Sequence, residues 1–234
     1  WFWGRCGLEG ARLLRVPSPF DYAAQAAISV PEDFPSPSDP RHGSAVAALV
    51  ADAAMTLGGR TLVLTTTLRA IAVIAQVLRQ QLAQRGSHLD VLAQGEWPKL
   101  RLMERFRAGA GPQGGCILVA SASFWEGFDV PGDALQLVVI DKLPFPPPGD
   151  PLVEARTLQI EQSGGSAFKE YALAEAAVAL KQGAGRLIRH ESDRGVLVVC
   201  DSRLVRMGYG KRLIAALPPM RRLSGTEDFQ VALE

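Results

Sequence analysis

The chain predicts an α/β domain, a mostly parallel sheet covered by helices on both faces. Apolar runs of strand length alternate with segments of helical spacing, the order that strand–helix–strand crossovers produce. Runs such as Cys116 to Ala120 and Val196 to Cys200 are continuously apolar, as strands buried on both faces require. The Pro- and Ser-rich stretch Pro31 to Pro40 reads as a surface loop, and no long structureless linker divides the 234 residues. One domain over residues 1–234 is therefore expected, with enough length to bury a substantial core.

In chain order, strands are expected near residues 12–16, 26–30, 61–66, 89–92, 116–120, 135–141 and 196–201. Helices are expected over about 42–57, 68–85, 97–108, 151–162, 166–189 and 202–216. Thr61 to Thr67 is a β-rich run closing on three threonines, and the following segment takes helical spacing with polar residues interleaved. Thr66 or Thr67 suits the N-cap of that helix. Asp193-Arg194-Gly195 reads as a turn into the buried run Val196 to Cys200, and Asp201-Ser202-Arg203 as the polar end of that strand.

Composition excludes more than it selects. No run of eighteen apolar residues is present, so no membrane span is expected, and a cytoplasmic setting fits. Cys6, Cys116 and Cys200 are odd in number and widely spaced, which suits a reducing compartment, and two of them fall in buried-looking runs. The net charge is only +1, so a polyanion would have to be met by a local patch. Five of the 25 basic residues are lysines; the arginine bias suits bidentate phosphate contacts. Arg69, Arg79, Arg101, Arg105 and Arg107 are the candidates for such a patch, although each also suits a solvated helix face. The first residue is Trp, which suggests that the natural N-terminus lies upstream.

The segment Gln182-Gly183-Ala184-Gly185-Arg186-Leu187-Ile188-Arg189 carries the most chemistry. If it continues the preceding helix, the two guanidinium groups leave nearly the same face, with Gln182 one turn upstream. Such a fork fits phosphate oxygens and can neutralise the charge of a transferring γ-phosphoryl group. A solvated helix end with cations complementing the dipole is the competing reading. Against it, Gly183 and Gly185 each cost roughly 1 kcal/mol of helix propensity, which makes sense where backbone must approach a ligand or a second domain.

From Gln182 through Arg186 and Arg189 to Asp193, Gly195, Asp201 and Arg203, the spacing resembles motif VI of superfamily 2 helicases in the DinG and XPD version. Ser121-Ala122-Ser123-Phe124-Trp125-Glu126-Gly127-Phe128-Asp129 resembles motif V, and Asp141 to Pro148 the proline-rich segment that follows it. Thr65, Thr66 and Thr67 resemble motif IV, while Ser18 to Tyr22 and Gln94 to Trp97 also fit the family's pattern. The resemblance covers roughly residues 8 to 219 and is closest to the bacterial DinG and YoaA branch.

That resemblance implies a RecA-like fold and a role as the second motor domain of an ATP-dependent 5′–3′ DNA helicase in replication or repair. It implies that Arg189 and Arg186 are catalytic toward the γ-phosphate, and that Gln182, Gly127 and Asp129 belong with them to the nucleotide side. It implies that Thr65, Thr66, Thr67, Arg69, Ser121, Phe124 and Trp125 lie along a track for single-stranded or forked DNA. Core packing is the competing reading for Phe124 and Trp125. No Gly-x-x-x-x-Gly-Lys-Ser/Thr and no Asp-Glu-x-His occurs, so ATP with magnesium is expected mainly on a first motor domain outside this chain. That domain of the same polypeptide is the expected partner, alongside a replication or repair protein; no metal site is expected here. An iron–sulfur cluster common in the family would need four cysteines and belongs outside this sequence. A non-hydrolysing interaction module or an RNA-directed motor is the alternative.

Overall fold

The computed structural model describes residues 6–8, 10–12, 14, 16, 18–109, 115–121, 124 and 135–233. Among them a seven-stranded sheet forms from β1 (Ala26–Ser29), β2 (Thr61–Thr65), β3 (Asp90–Ala93), β4 (Cys116–Ser121), β5 (Leu137–Ile140), β6 (Gly195–Val199) and β7 (Arg221–Arg222). Their order is β3-β4-β2-β5-β6-β1-β7, and every pairing is parallel. All carboxyl ends therefore lie along one edge of the sheet and all amino ends along the other.

The helices are α1 (Tyr22–Gln25), α2 (His42–Leu57), α3 (Leu68–Gln84), α4 (Lys99–Ala108), α5 (Pro151–Gln162), α6 (Leu173–Ala184), α7 (Arg203–Arg206), α8 (Gly210–Ala216) and α9 (Gly225–Val231). A π-helical turn, Phe168–Ala172, leads into α6. Successive strand residues point to opposite faces, so each strand feeds two cores. Leu62, Leu64, Leu118, Val138, Leu197 and Val199 pack with α4, α6, α7 and α8 on one face. Val63, Ile117, Val119, Val139, Val196 and Val198 pack with α2 and α3 on the other. Burial on both faces is why these strands read as unbroken apolar runs.

Local signals explain most boundaries. Thr67 caps α3, its side chain accepting from the Ala70 amide, and Asp150 caps α5 ahead of Pro151 at the first helical position. Helix α2 stops at Gly58, in the left-handed region at φ 64°.

Several expectations need correction. Arg12, Leu14 and Val16 belong to no strand, and Leu14 and Val16 are exposed, having no sheet neighbour to cover them. The helix expected to reach residue 189 ends at Ala184, after beginning as the π turn. The helix expected over 202–216 is broken into α7 and α8. At the break, a Cβ on Gly210 would sit 1.9 Å from the Leu204 carbonyl oxygen, so only glycine lets the chain double back there. The short edge strand β7 was not expected; its two residues are held by β1 rather than by any apolar pattern of their own. Among the described residues no helix is long and apolar enough to cross a membrane.

Candidate functional site

The arginine segment sits at the amino edge of the sheet, in the turn between α6 and β6. Helix α6 caps at Gly185, whose φ of −68° is open to any residue. Arg186 and Arg189 are therefore not on a helix, and helical periodicity does not align them. The intervening pair does that instead: Leu187 and Ile188 are 1% and 2% exposed and plug the core, leaving a half-buried arginine on each side. The Nε atoms of both guanidinium groups are buried. Gln182, one turn back on α6, is exposed.

Two side chains hold this turn rigid. Buried Asp193 accepts through Oδ2 from the amides of Arg189 at 2.7 Å and His190 at 2.9 Å. Buried Gln25 donates from Nε2 to the carbonyls of His190 at 2.8 Å, Glu191 at 3.1 Å and Asp193 at 3.2 Å. Gly195 completes the seat, since a Cβ there would lie 2.5 Å from Leu187 Cδ1 and 2.7 Å from the Gln136 carbonyl. The result is a pair of permanent cations on an ordered loop, suited to oxygens of a polyphosphate. In the sequence Gln25 is marked only as a polar residue directly before the buried run of β1, too weak a signal to place it at this turn.

The hydroxyl candidates lie at the opposite, carboxyl edge, about 15 Å away at the rise of a strand. Thr65 is 1% exposed and spends its hydroxyl on the Thr67 carbonyl at 3.1 Å. Thr66 Oγ1 is buried without a hydrogen-bond partner among the described residues. Thr67 is exposed but serves as the α3 cap, and Arg69 is exposed beside it. Ser121 donates its amide and hydroxyl to Gln94 Oε1 at 2.7 and 2.9 Å, which ties β4 to the loop after β3. Phe124 is 4% exposed, with Lys99 Nζ 5.2 Å from its ring centre, so it packs in the core rather than offering a face. Trp125, Gly127 and Asp129 lie outside the described residues.

Further along this edge, two carboxylates end neighbouring strands. Asp141 is pushed up to about 6 by burial, opposed by the Lys142 charge and amide, by His42 and by the Thr66 amide. For Asp201 burial also pushes upward, but Arg203, clamped at 2.6 Å, and the Leu143 amide at 2.9 Å outweigh it and hold the carboxyl below its usual value.

The expected arginine patch is partly committed. Arg79 pairs with Glu96 at 2.7 Å, which draws that carboxyl below its usual value. Arg101 lies 4.0 Å over the Trp97 ring, and Arg105 lies 3.4 Å from Asp90. The cysteines are dispersed: Cys6 is exposed, Cys116 opens β4 and Cys200 follows β6. Among the described residues no group of three or more His, Cys, Asp or Glu is arranged to hold a metal.

A family model described as the helicase C-terminal domain matches residues 50–220. The chain is 43% identical over 221 residues to the ATP-dependent DNA helicase YoaA of Escherichia coli, covering 94% of this chain and 33% of that protein. It is 38% identical over 232 residues to the ATP-dependent helicase DinG of Mycobacterium tuberculosis, covering 99% of this chain and 34% of that one. A solved XPD helicase superposes with a TM-score of 0.60 at 16% identity, over 85% of this chain and 35% of the other, a likeness of fold. The chain thus spans about a third of the length of the curated relatives it matches.

Proposed function

The chain belongs to the helicase C-terminal domain family, and on that footing we propose that it is the second RecA-like motor domain of an ATP-dependent DNA helicase of the DinG and YoaA type. The observation that carries this reading is the Arg186–Arg189 turn, pinned by Leu187 and Ile188 and clamped by Asp193 and Gln25. An arginine that must meet a transient charge works best when its position is fixed beforehand.

In this reading ATP and magnesium sit mainly on the first motor domain, and the substrate's γ-phosphate faces the amino edge of the present sheet across a cleft. Arg189 supplies charge to the equatorial oxygens as it develops, Arg186 supports it, and Gln182 senses the nucleotide. The carboxyl edge, with Thr66, Thr67, Arg69 and Ser121, takes the backbone of single-stranded DNA. Thr65 and Phe124 support that edge from inside. Gly127 and Asp129 lie in the sequence between Ser121, at the carboxyl edge, and Leu137, at the amino edge, and that connectivity suits a coupling role. Opening and closing of the cleft would then move the domains along the strand. The names of the relatives favour DNA over RNA, and 5′–3′ polarity follows from the family resemblance.

The test is Arg189→Ala and Arg189→Lys in the full-length protein. Turnover stimulated by single-stranded DNA should fall by roughly 10³- to 10⁵-fold in both, while nucleotide affinity changes far less. Unchanged turnover in a stably folded Arg189→Ala protein would remove the arginine from the chemistry.

A further inference from the structure

One surface outside the two sites above combines an aromatic cluster, exposed at Phe168, with two cations that make no ion pair among the described residues. Phe145 follows β5, Phe168 begins the π turn, and Tyr209 joins α7 to α8, yet their rings meet. Centroids lie 5.6 Å apart for Phe145 and Phe168, 6.0 Å for Phe145 and Tyr209, and 5.2 Å for Phe168 and Tyr209. Phe168 is 43% exposed, so the triangle has an outer face. Arg203 sits 5.8 Å over Phe145, held there by the fully buried Asp201.

Next to Phe168, Lys169 and Arg212 line an open groove of about 970 Å³ together with Arg156 and Glu170. Neither Lys169 nor Arg212 makes an ion pair among the described residues, whereas Arg156 approaches Glu175 at 3.9 Å. Glu170 is occupied, its Oε1 accepting from the Ser166 amide at 3.0 Å. The turn that carries both Phe168 and Lys169 is π-helical, a rare geometry found disproportionately at functional sites.

We propose that this surface is a further single-strand subsite, in which the Phe145–Phe168–Tyr209 cluster stacks one base and Lys169 with Arg212 hold neighbouring phosphates. The inference rests on the strand-binding reading above and extends it along the sheet edge, from β4 and β2 past β5 to β6. The paired features select the occupant. Flat rings beside uncommitted cations match a polymer that alternates bases with phosphates, while an apolar protein surface would strip water from Lys169 and Arg212 and return no counter-charge.

The test uses the full-length protein, fluorescence anisotropy, and two labelled strands: oligothymidylate and an abasic strand of equal length. Phe168→Ala should weaken oligothymidylate binding about 5- to 150-fold and leave the abasic strand unaffected, because only stacking is lost. The double variant Lys169→Ala/Arg212→Ala should weaken both strands and reduce the salt slope by about 1.4, the single-strand value for two phosphate contacts. Melting temperatures of both variants measured alongside separate lost contacts from lost fold; Phe168→Tyr keeps a stacking face and should bind as the wild type does. If the wild type binds strongly and both folded variants match it on both strands, the subsite is overturned while the strand-binding reading stands. If the wild type binds neither strand, both fall.

Discussion

Asp141 and Asp201 end adjacent strands, yet their surroundings drive them in opposite directions. Asp141 is 2% exposed and pushed up to about 6, chiefly by burial. A raised carboxyl favours the neutral form in the fold, so its contribution is fully present below the unfolded value near 4 and is lost as pH rises through about 6. The loss amounts to about 1 to 2 kcal/mol between pH 5 and pH 8. Asp201 has the reverse sign: held low by Arg203 and the Leu143 amide against its burial, it contributes above the unfolded value and is lost only as pH falls below that. It is therefore constant over the window in which Asp141 titrates. Asp141→Asn should raise stability relative to the wild type by more at pH 8 than at pH 5, measured by urea unfolding at both. Equal differences at the two pH values would show that Asp141 is not the buried titrating group described here.

At the scale of elements, the turn between α6 and β6 decides where the two arginines go. Sequence periodicity carries the helix to residue 189, because Leu187 and Ile188 continue an apolar pattern. Those two residues instead descend into the core after the helix stops at Ala184. Gly195 permits this by leaving room for Leu187 against the Gln136 backbone. Gly195→Ala should therefore cost about 1 to 3 kcal/mol of stability through overpacking. It should also lower turnover of the full-length enzyme, because Leu187 moves and its flanking arginines move with it. Denaturant unfolding and steady-state phosphate release on one preparation check both effects; a variant that keeps wild-type values in each would mean that the turn does not depend on this contact.

Across the whole molecule, a sheet covered on both faces sorts the three thiols by depth. Burial pushes Cys116 up to about 12, with Asp90 adding to it, and pushes Cys200 up as well, with Asp141 and Asp201 adding to it. The thiolate is the reactive form, so both should be inert near neutral pH while exposed Cys6 is not. Iodoacetamide at pH 8, followed by mass spectrometry, should label Cys6 alone in the folded protein and all three after denaturation. Label on Cys200 without denaturant would mean that the layer of α2 and α3 over its face of the sheet opens readily.

Much of this architecture was legible in the sequence. The continuous apolar runs gave six of the seven strands in place and in type, because a parallel strand buried on two faces leaves no polar alternation to confuse with surface. The cap at Thr67 followed from a side chain that satisfies its own helix end. The spacing from Gln182 to Arg203 pointed to the family, since it records which residue types the chemistry needs. What the sequence could not give was which residues meet across the fold. Gln25 reaches the arginine turn from a position 165 residues earlier than His190, and strand β7 exists only through its pairing with β1. Phe124 and Phe168 are the same residue type in the sequence; only packing makes the first core and leaves the second at the surface. Periodicity and capping are local energies, written in neighbouring residues. Burial and long-range hydrogen bonding depend on which elements the sheet order brings side by side, and tertiary structure alone decides that.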